Sequence, residues 1–252
     1  MKKDPNEKNL ARQVGLKHIA FIMDGNGRWA TRQGKPREYG HAFGAKTFRN
    51  MLNWCDDFGV EFATFYAFST ENWKRPVKEV NEIMRLLDVY LDQCEKDLKK
   101  HQVRFIFIGD PSPLKESLQK KIRHIEEISS SYERIVNVAL NYGGRAEIVR
   151  ACKDLLAEGK TEVTEEDLSS RLYTRLSPDP DMIVRTGGDL RISNYLLWQA
   201  AYAELYFTDV LWPDFSKQDL KQALEEFGRR KRRFGGVEES SKKENAERGK
   251  PC

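Results

Sequence analysis

The chain has 252 residues, 39% hydrophobic and 33% charged, a balance that allows a sizeable buried core and excludes disorder throughout. No run approaches the ~18 uninterrupted apolar residues of a membrane span, and the opening MKKDPNEKNLARQ lacks the apolar block of a secretory leader, so the expected address is cytoplasmic. Forty-three Lys and Arg against 39 Asp and Glu leave a formal charge of +4, too mild to indicate a nucleic-acid binder but favourable to anionic ligands.

Short apolar runs alternate with longer amphipathic ones, which predicts a parallel sheet flanked by helices in one α/β domain. A first strand is predicted over His18–Met23, then a helix from about Gly40 to Asp57 that Gly59 ends. A second strand follows at Val60–Phe68. After Pro76 the apolar residues Val80, Ile83, Met84, Leu87, Leu91, Cys94 and Leu98 fall at three- and four-residue steps, predicting a helix over 77–100. Strands at Val103–Ile108 and Ile135–Tyr142 alternate with helices at Leu114–Ser129 and Arg145–Leu156. Thr164–Leu172 reads as a short helix with a capping start, Asp181–Arg185 as a fifth strand and Ala203–Phe207 as a sixth. A last helix from about Ser216 runs into Arg229, Arg230, Lys231, Arg232 and Arg233, read either as a solvated helix end or as a contact for anionic lipid at a membrane surface. The expected division is a flexible start over 1–15, a domain over 16–236 and a disordered polar tail over 237–252.

Cys55, Cys94, Cys152 and Cys252 form no CxxC pair, which fits a reduced compartment, and His18, His41, His101 and His124 are too scattered for a local zinc motif. The first strand runs into Asp24-Gly25-Asn26-Gly27-Arg28-Trp29-Ala30, a glycine-rich turn at the carboxyl end of a strand, where open α/β sheets bind ligands. Gly25, Gly27 and Ala30 satisfy the dinucleotide spacing, yet the second strand ends in Phe68-Ser69-Thr70 where that fingerprint needs an acid. Asp24 would repel a diphosphate unless a divalent cation such as Mg²⁺ bridged them. The plainer alternative is a capping aspartate and turning glycines. Arg32, Arg37 and His41 follow within a few turns. Ser69-Thr70-Glu71-Asn72-Trp73-Lys74-Arg75 leaves the second strand, and Arg185-Thr186-Gly187-Gly188-Asp189-Leu190-Arg191-Ile192-Ser193 repeats the pattern of strand, glycine turn and arginines. Two cationic turns with one metal-ready aspartate fit an enzyme that joins two phosphorylated substrates.

The segments 18–30, 68–73 and 185–193, together with Asn141-Tyr142-Gly143-Gly144-Arg145 and 203–215, resemble the cis-prenyltransferases, nearest to the bacterial undecaprenyl diphosphate synthases, over roughly Leu16 to Gly236. The resemblance implies repeated condensation of isopentenyl diphosphate onto an allylic diphosphate, usually farnesyl diphosphate, with Mg²⁺ as cofactor. The product would be a long cis-polyprenyl diphosphate, the precursor of a cell-wall lipid carrier. It also implies that Asp24 lies at the allylic diphosphate and metal, with Gly25, Asn26, Gly27, Arg28, Arg37 and His41 binding diphosphate and Trp29 a neighbouring contact. Ser69, Thr70, Glu71, Asn72, Trp73 and Arg75 match the second loop, where Asn72 is assigned a part in proton removal; an amide is a poor base, so positioning or relay is the expectation. Arg185, Arg191, Ile192 and Ser193 match the isopentenyl diphosphate pocket. Glu204 matches a glutamate that reaches a neighbouring subunit's metal site, which requires a homodimer. Asp189 is a departure, since the family usually carries Glu there. The 77–100 helix and the second strand are candidates for the wall of an apolar channel, although plain core explains the same stripe. Asp56-Asp57 is followed by Val60 where the paired-aspartate motif of the trans-prenyltransferases needs a third acid. The competing readings are a non-catalytic partner subunit of the same fold and a nicotinamide-dependent oxidoreductase.

Overall fold

The computed structural model describes residues 8–231. The expected tail over 237–252, with Arg232 and Arg233, lies outside them. Six strands form one sheet in the order β3-β4-β2-β1-β5-β6, namely β1 His18–Ile22, β2 Phe62–Ser69, β3 Val103–Ile108, β4 Arg134–Tyr142, β5 Met182–Arg185 and β6 Glu204–Phe207. Every pairing is parallel, with Ile22 opposite both Tyr66 and Arg185. Parallel strands need crossover connections. These are supplied by α2 Asn26–Arg32 with α3 Arg37–Phe58, α4 Val77–His101, α5 Glu116–Ser129 and α6 Gly144–Ala157 with α7 Glu165–Ser169. Leu10–Gln13 forms α1 and Lys217–Arg229 forms α8.

Alternate residues of β1 feed opposite faces, as the two-residue period requires. Ile19 and Phe21 join a large cluster with Phe65 and residues of α3, α4 and α8, while Ala20 and Ile22 pack with Tyr142, Tyr195 and Leu196 behind the sheet. Phe21 stacks on Phe65 at 5.0 Å between centroids, and Phe48 meets Phe65 edge-on at 4.7 Å, fixing α3 against the central strands.

Several boundaries differ from the sequence reading for local reasons. Leu10–Gln13 is helical and Ala11 is fully buried, so a flexible segment through residue 15 does not describe it. The seven-residue α2, absent from the sequence reading, buries only Gly27 and Ala30 and therefore carries too short an apolar stripe to read. Helix α3 starts at Arg37 after Pro36, three residues earlier than expected, because its first turn is mostly exposed. Val60 ends the α3 turn through Val60 N–H to the Cys55 carbonyl rather than starting β2. Asp181 precedes β5, and its carboxylate accepts from the N–H groups of Lys17 and His18 at 2.8 and 3.0 Å. Thr164 caps α7 and Ser216 caps α8, each accepting an N–H three residues on.

Candidate active site

Strands β2, β1 and β5 lie side by side, so the loops that leave their carboxyl ends meet above the sheet. They deliver Ser69, Asp24 and Arg185 to one cavity of about 950 Å³. Gly25 makes the turn after Asp24 possible. Its φ is 111°, and a Cβ there would stand 2.9–3.0 Å from Leu211, so no side chain fits. The Asp24 carbonyl accepts from Thr186 Oγ1 at 2.7 Å and from the Trp212 N–H at 3.0 Å, which pins the aspartate between the β5 loop and the segment after β6.

Two carboxylates and three guanidinium groups interlock at the cavity mouth. Arg185 is buried; its Nη2 donates to Asp24 Oδ2 at 2.9 Å and to Asp189 Oδ2 at 3.2 Å, and its Nη1 donates to Ser193 Oγ at 2.7 Å and to the Arg191 carbonyl. Arg28 stands 3.3 Å from Asp24 and 3.8 Å from Asp189, and Arg191 Nη2 donates to Asp189 at 2.9 Å. Burial raises the cost of charging Asp24, but the Arg185 hydrogen bond and the Arg28 and Arg185 charges outweigh it and hold its carboxyl below the usual range. Asp24 is thus ionised at neutral pH. The cluster has one more positive than negative group, which suits an anion.

A second cationic group is organised by Glu79, in the first turn of α4. Its buried carboxylate accepts from Arg37 Nε at 3.2 Å, His41 Nε2 at 3.0 Å and Arg75 Nη1 at 3.0 Å. Burial lowers the His41 pKa despite the Glu79 contact that raises it, leaving a neutral ring that donates its Nε2 hydrogen. Burial works against the Glu79 charge, yet the His41 and Arg37 hydrogen bonds keep its carboxyl below the ordinary range.

Beyond Ser69 the chain makes a 3₁₀ turn over Thr70–Lys74. Asn72 Oδ1 accepts from the Ser69 N–H at 3.0 Å, fixing the carboxamide plane. Below the mouth the cavity is walled by Ile83, Leu86, Leu87 and Tyr90 of α4, Phe48 of α3, and Val138 and Leu140 of β4.

Asp24, Gly25, Asn26, Gly27, Arg28, Arg37, His41, Ser69, Glu71, Asn72, Arg75, Arg185, Arg191 and Ser193 all line this cavity. Five expected residues do not. Trp29 turns aside to donate to Asp214 Oδ1 at 2.6 Å and packs on Phe43. Trp73 donates to Asn141 Oδ1 at 2.8 Å, Ile192 packs behind the sheet, and Thr70 faces the β4–α6 turn at Gly143. Glu204 begins β6 opposite Met182, whereas Arg185 pairs with Phe207, so Glu204 sits at the far end of the sheet, bonded to Arg230 at 2.9 Å. It does not join Asp24 within one chain. The sequence reading missed Glu79 and Asn194; an acid one turn into the predicted helix was the available signal for Glu79.

The Prenyltransf family model, described as undecaprenyl diphosphate synthase, matches residues 22–235. The chain belongs to the cis-prenyltransferase family. It is 49% identical to the isoprenyl transferase of Fusobacterium nucleatum over 232 residues, covering 92% of this chain and 98% of that one. It is 47% identical to the ditrans,polycis-undecaprenyl-diphosphate synthase ((2E,6E)-farnesyl-diphosphate specific) of Escherichia coli, covering 89% and 91%. Among solved structures, the lavandulyl diphosphate synthase of Lavandula x intermedia in complex with dimethylallyl diphosphate superposes with a TM-score of 0.84 at 33% identity, covering 88% of this chain and 99% of that one. A probable undecaprenyl diphosphate synthase of Campylobacter jejuni gives 0.75 at 38%, covering 87% and 98%. In this cis-prenyltransferase the matched stretch holds every cavity residue named above.

Proposed function

We propose that this cis-prenyltransferase condenses isopentenyl diphosphate repeatedly onto farnesyl diphosphate, giving a long cis-polyprenyl diphosphate of the undecaprenyl kind, and that residues 16–236 form its catalytic domain. The observation that carries the reading is one cavity with paired cationic groups at its mouth and an aliphatic interior. The allylic diphosphate sits over Gly25, Asn26, Gly27 and Arg28, with Arg37, His41 and Arg75 alongside. Isopentenyl diphosphate takes Arg185, Arg191 and Ser193. Arriving phosphate oxygens compete with Asp24 and Asp189 for the guanidinium groups, since bidentate arginine–phosphate pairs match both partners' geometry. Asn72, with its oxygen held by Ser69, orients substrate rather than taking a proton. The growing hydrocarbon runs along Ile83, Leu86, Leu87 and Tyr90, where burial contributes ~0.8 kcal/mol per CH₂.

Among the described residues no group of three or more His, Cys, Asp and Glu side chains is placed to hold a metal ion. That fits Mg²⁺ nonetheless, because this ion is commonly held by one or two carboxylates with substrate phosphates and waters. Asp24 would hold it, with Glu204 of a second copy in a homodimer, and the ion would neutralise charge on the departing diphosphate. No helix among the described residues is long and apolar enough to cross a membrane; the proposal places the enzyme in the cytoplasm, with the basic end of α8 as its contact with anionic lipid.

Purified protein with Mg²⁺, farnesyl diphosphate and labelled isopentenyl diphosphate should yield a ladder of long cis-polyprenyl diphosphates, and chelator should stop it. Absence of any condensation product would overturn the reading.

A further inference from the structure

Ser193 and Asn194 both adopt left-handed backbone, with φ of 50° and 62°, a conformation that non-glycine residues hold only when their surroundings enforce it. Here the enforcement is a four-way tie at Asn194, which lines the active-site cavity. Its Nδ2 donates to Glu71 Oε1 at 2.9 Å, in the loop that leaves β2. Its Oδ1 accepts from the Arg145 N–H at 2.9 Å and its backbone carbonyl accepts from the Gly144 N–H at 2.7 Å. Those two N–H groups open α6 and have no partner within the helix. The fourth link is covalent, to Ser193, whose hydroxyl holds Arg185. Gly143 makes room for the arrangement, since a Cβ there would stand 2.8 Å from both Asn194 Nδ2 and Thr70 Oγ1.

We propose that Asn194 is a positioning residue for the isopentenyl diphosphate pocket, locking the loop that carries Ser193 to the loop that carries Glu71 and Asn72. The inference rests on the functional reading above, because it assigns the two loops to two substrates. Condensation requires the reacting carbons at near-attack distance, and a small displacement of one pocket relative to the other costs rate steeply. A carboxamide suits the place. It supplies a donor to a carboxylate and an acceptor to an amide from one rigid plane, and asparagine tolerates left-handed backbone better than most residues.

Asn194→Gly removes the carboxamide while keeping the backbone allowed. Its expected behaviour is a roughly tenfold fall in kcat/KM for isopentenyl diphosphate, with the calorimetric Kd for farnesyl diphosphate within about twofold of the parent and a melting temperature within a few degrees. Should that variant lack a cooperative melt, Asn194→Asp, which retains the acceptor and the backbone preference, carries the same comparison. An unchanged kcat/KM for isopentenyl diphosphate, or equal weakening of both diphosphates, overturns the proposal. Parent enzyme run in parallel separates the two claims: no elongation by the parent sinks the functional reading, whereas active parent with indifferent variants sinks only the role of Asn194.

Discussion

Asp24 is the residue on which the proposed chemistry turns, held ionised by Arg28 and Arg185 at the carboxyl end of β1. Asp24→Ala removes the carboxylate expected to hold the metal and leaves Arg185, which is buried, short of a counter-charge. We expect kcat to fall by about 10³ or more, in line with the loss of a transition-state charge stabiliser; turnover within tenfold of the parent in a single-turnover assay would refute the assignment. Glu79 works differently, because it touches two guanidinium groups and the neutral His41 ring, and none of the substrate path. Glu79→Ala leaves Arg37, His41 and Arg75 without their shared acceptor. Its expected cost is about 1–3 kcal/mol of stability by urea titration, together with weaker farnesyl diphosphate binding by calorimetry.

At the scale of elements, the turn between β1 and α2 and the inner face of α4 set what the cavity accepts. Gly25→Ala forces a side chain into left-handed backbone against Leu211, and the expected loss exceeds 1 kcal/mol, read as a lower urea midpoint at unchanged slope. Helix α4 presents Leu87 to the cavity two turns below the mouth. Leu87→Trp fills part of that space, so the product distribution should move to shorter chains by reversed-phase chromatography, with the first condensation retained. An unshifted distribution would mean that the hydrocarbon takes another path.

Stability of the whole molecule carries a pH signature from the sheet interior. His18 is fully buried, with Nδ1 2.6 Å from the Pro178 carbonyl and Nε2 2.7 Å from Thr64 Oγ1, and Thr64 in turn accepts from Asn137. A neutral ring serves both contacts, donating from Nδ1 and accepting at Nε2. Burial lowers its pKa from 6.5 to about 4, against smaller raising effects of Pro178 and Asp181. Between those values the unfolded chain binds a proton that the folded chain does not, so stability is full above the unfolded pKa and falls as pH drops towards 4. The expected loss is about 2 kcal/mol between pH 7 and pH 5, measured by urea titration against His18→Gln, which should lack this component. Assembly belongs to the same scale: Glu204 can act at a metal only across a subunit boundary, so sedimentation at assay concentration should give a dimer, and a monomer that is fully active would remove Glu204 from the site.

The order of strands and helices was legible in the chain because it follows from local pattern: short, largely apolar runs for β1 and β4, buried on both faces, and three- and four-residue steps for α4 and α5. So were Asp24, Arg28, Arg185 and Ser193, which sit in glycine turns directly after strands. Tertiary structure alone decided which of these meet. Asp24 and Arg185 are 161 positions apart and touch because β1 and β5 are neighbours in the sheet. Glu79 and Asn194 escaped notice because His41, which Glu79 holds, and Glu71, which Asn194 holds, lie 38 and 123 positions away in the chain. Trp29 and Trp73 sit in the expected loops yet point elsewhere, and strand register puts Glu204 at the opposite end of the strands. A local period fixes the face on which a side chain emerges; what stands opposite that face depends on sheet order and register, which are set by packing across the whole fold.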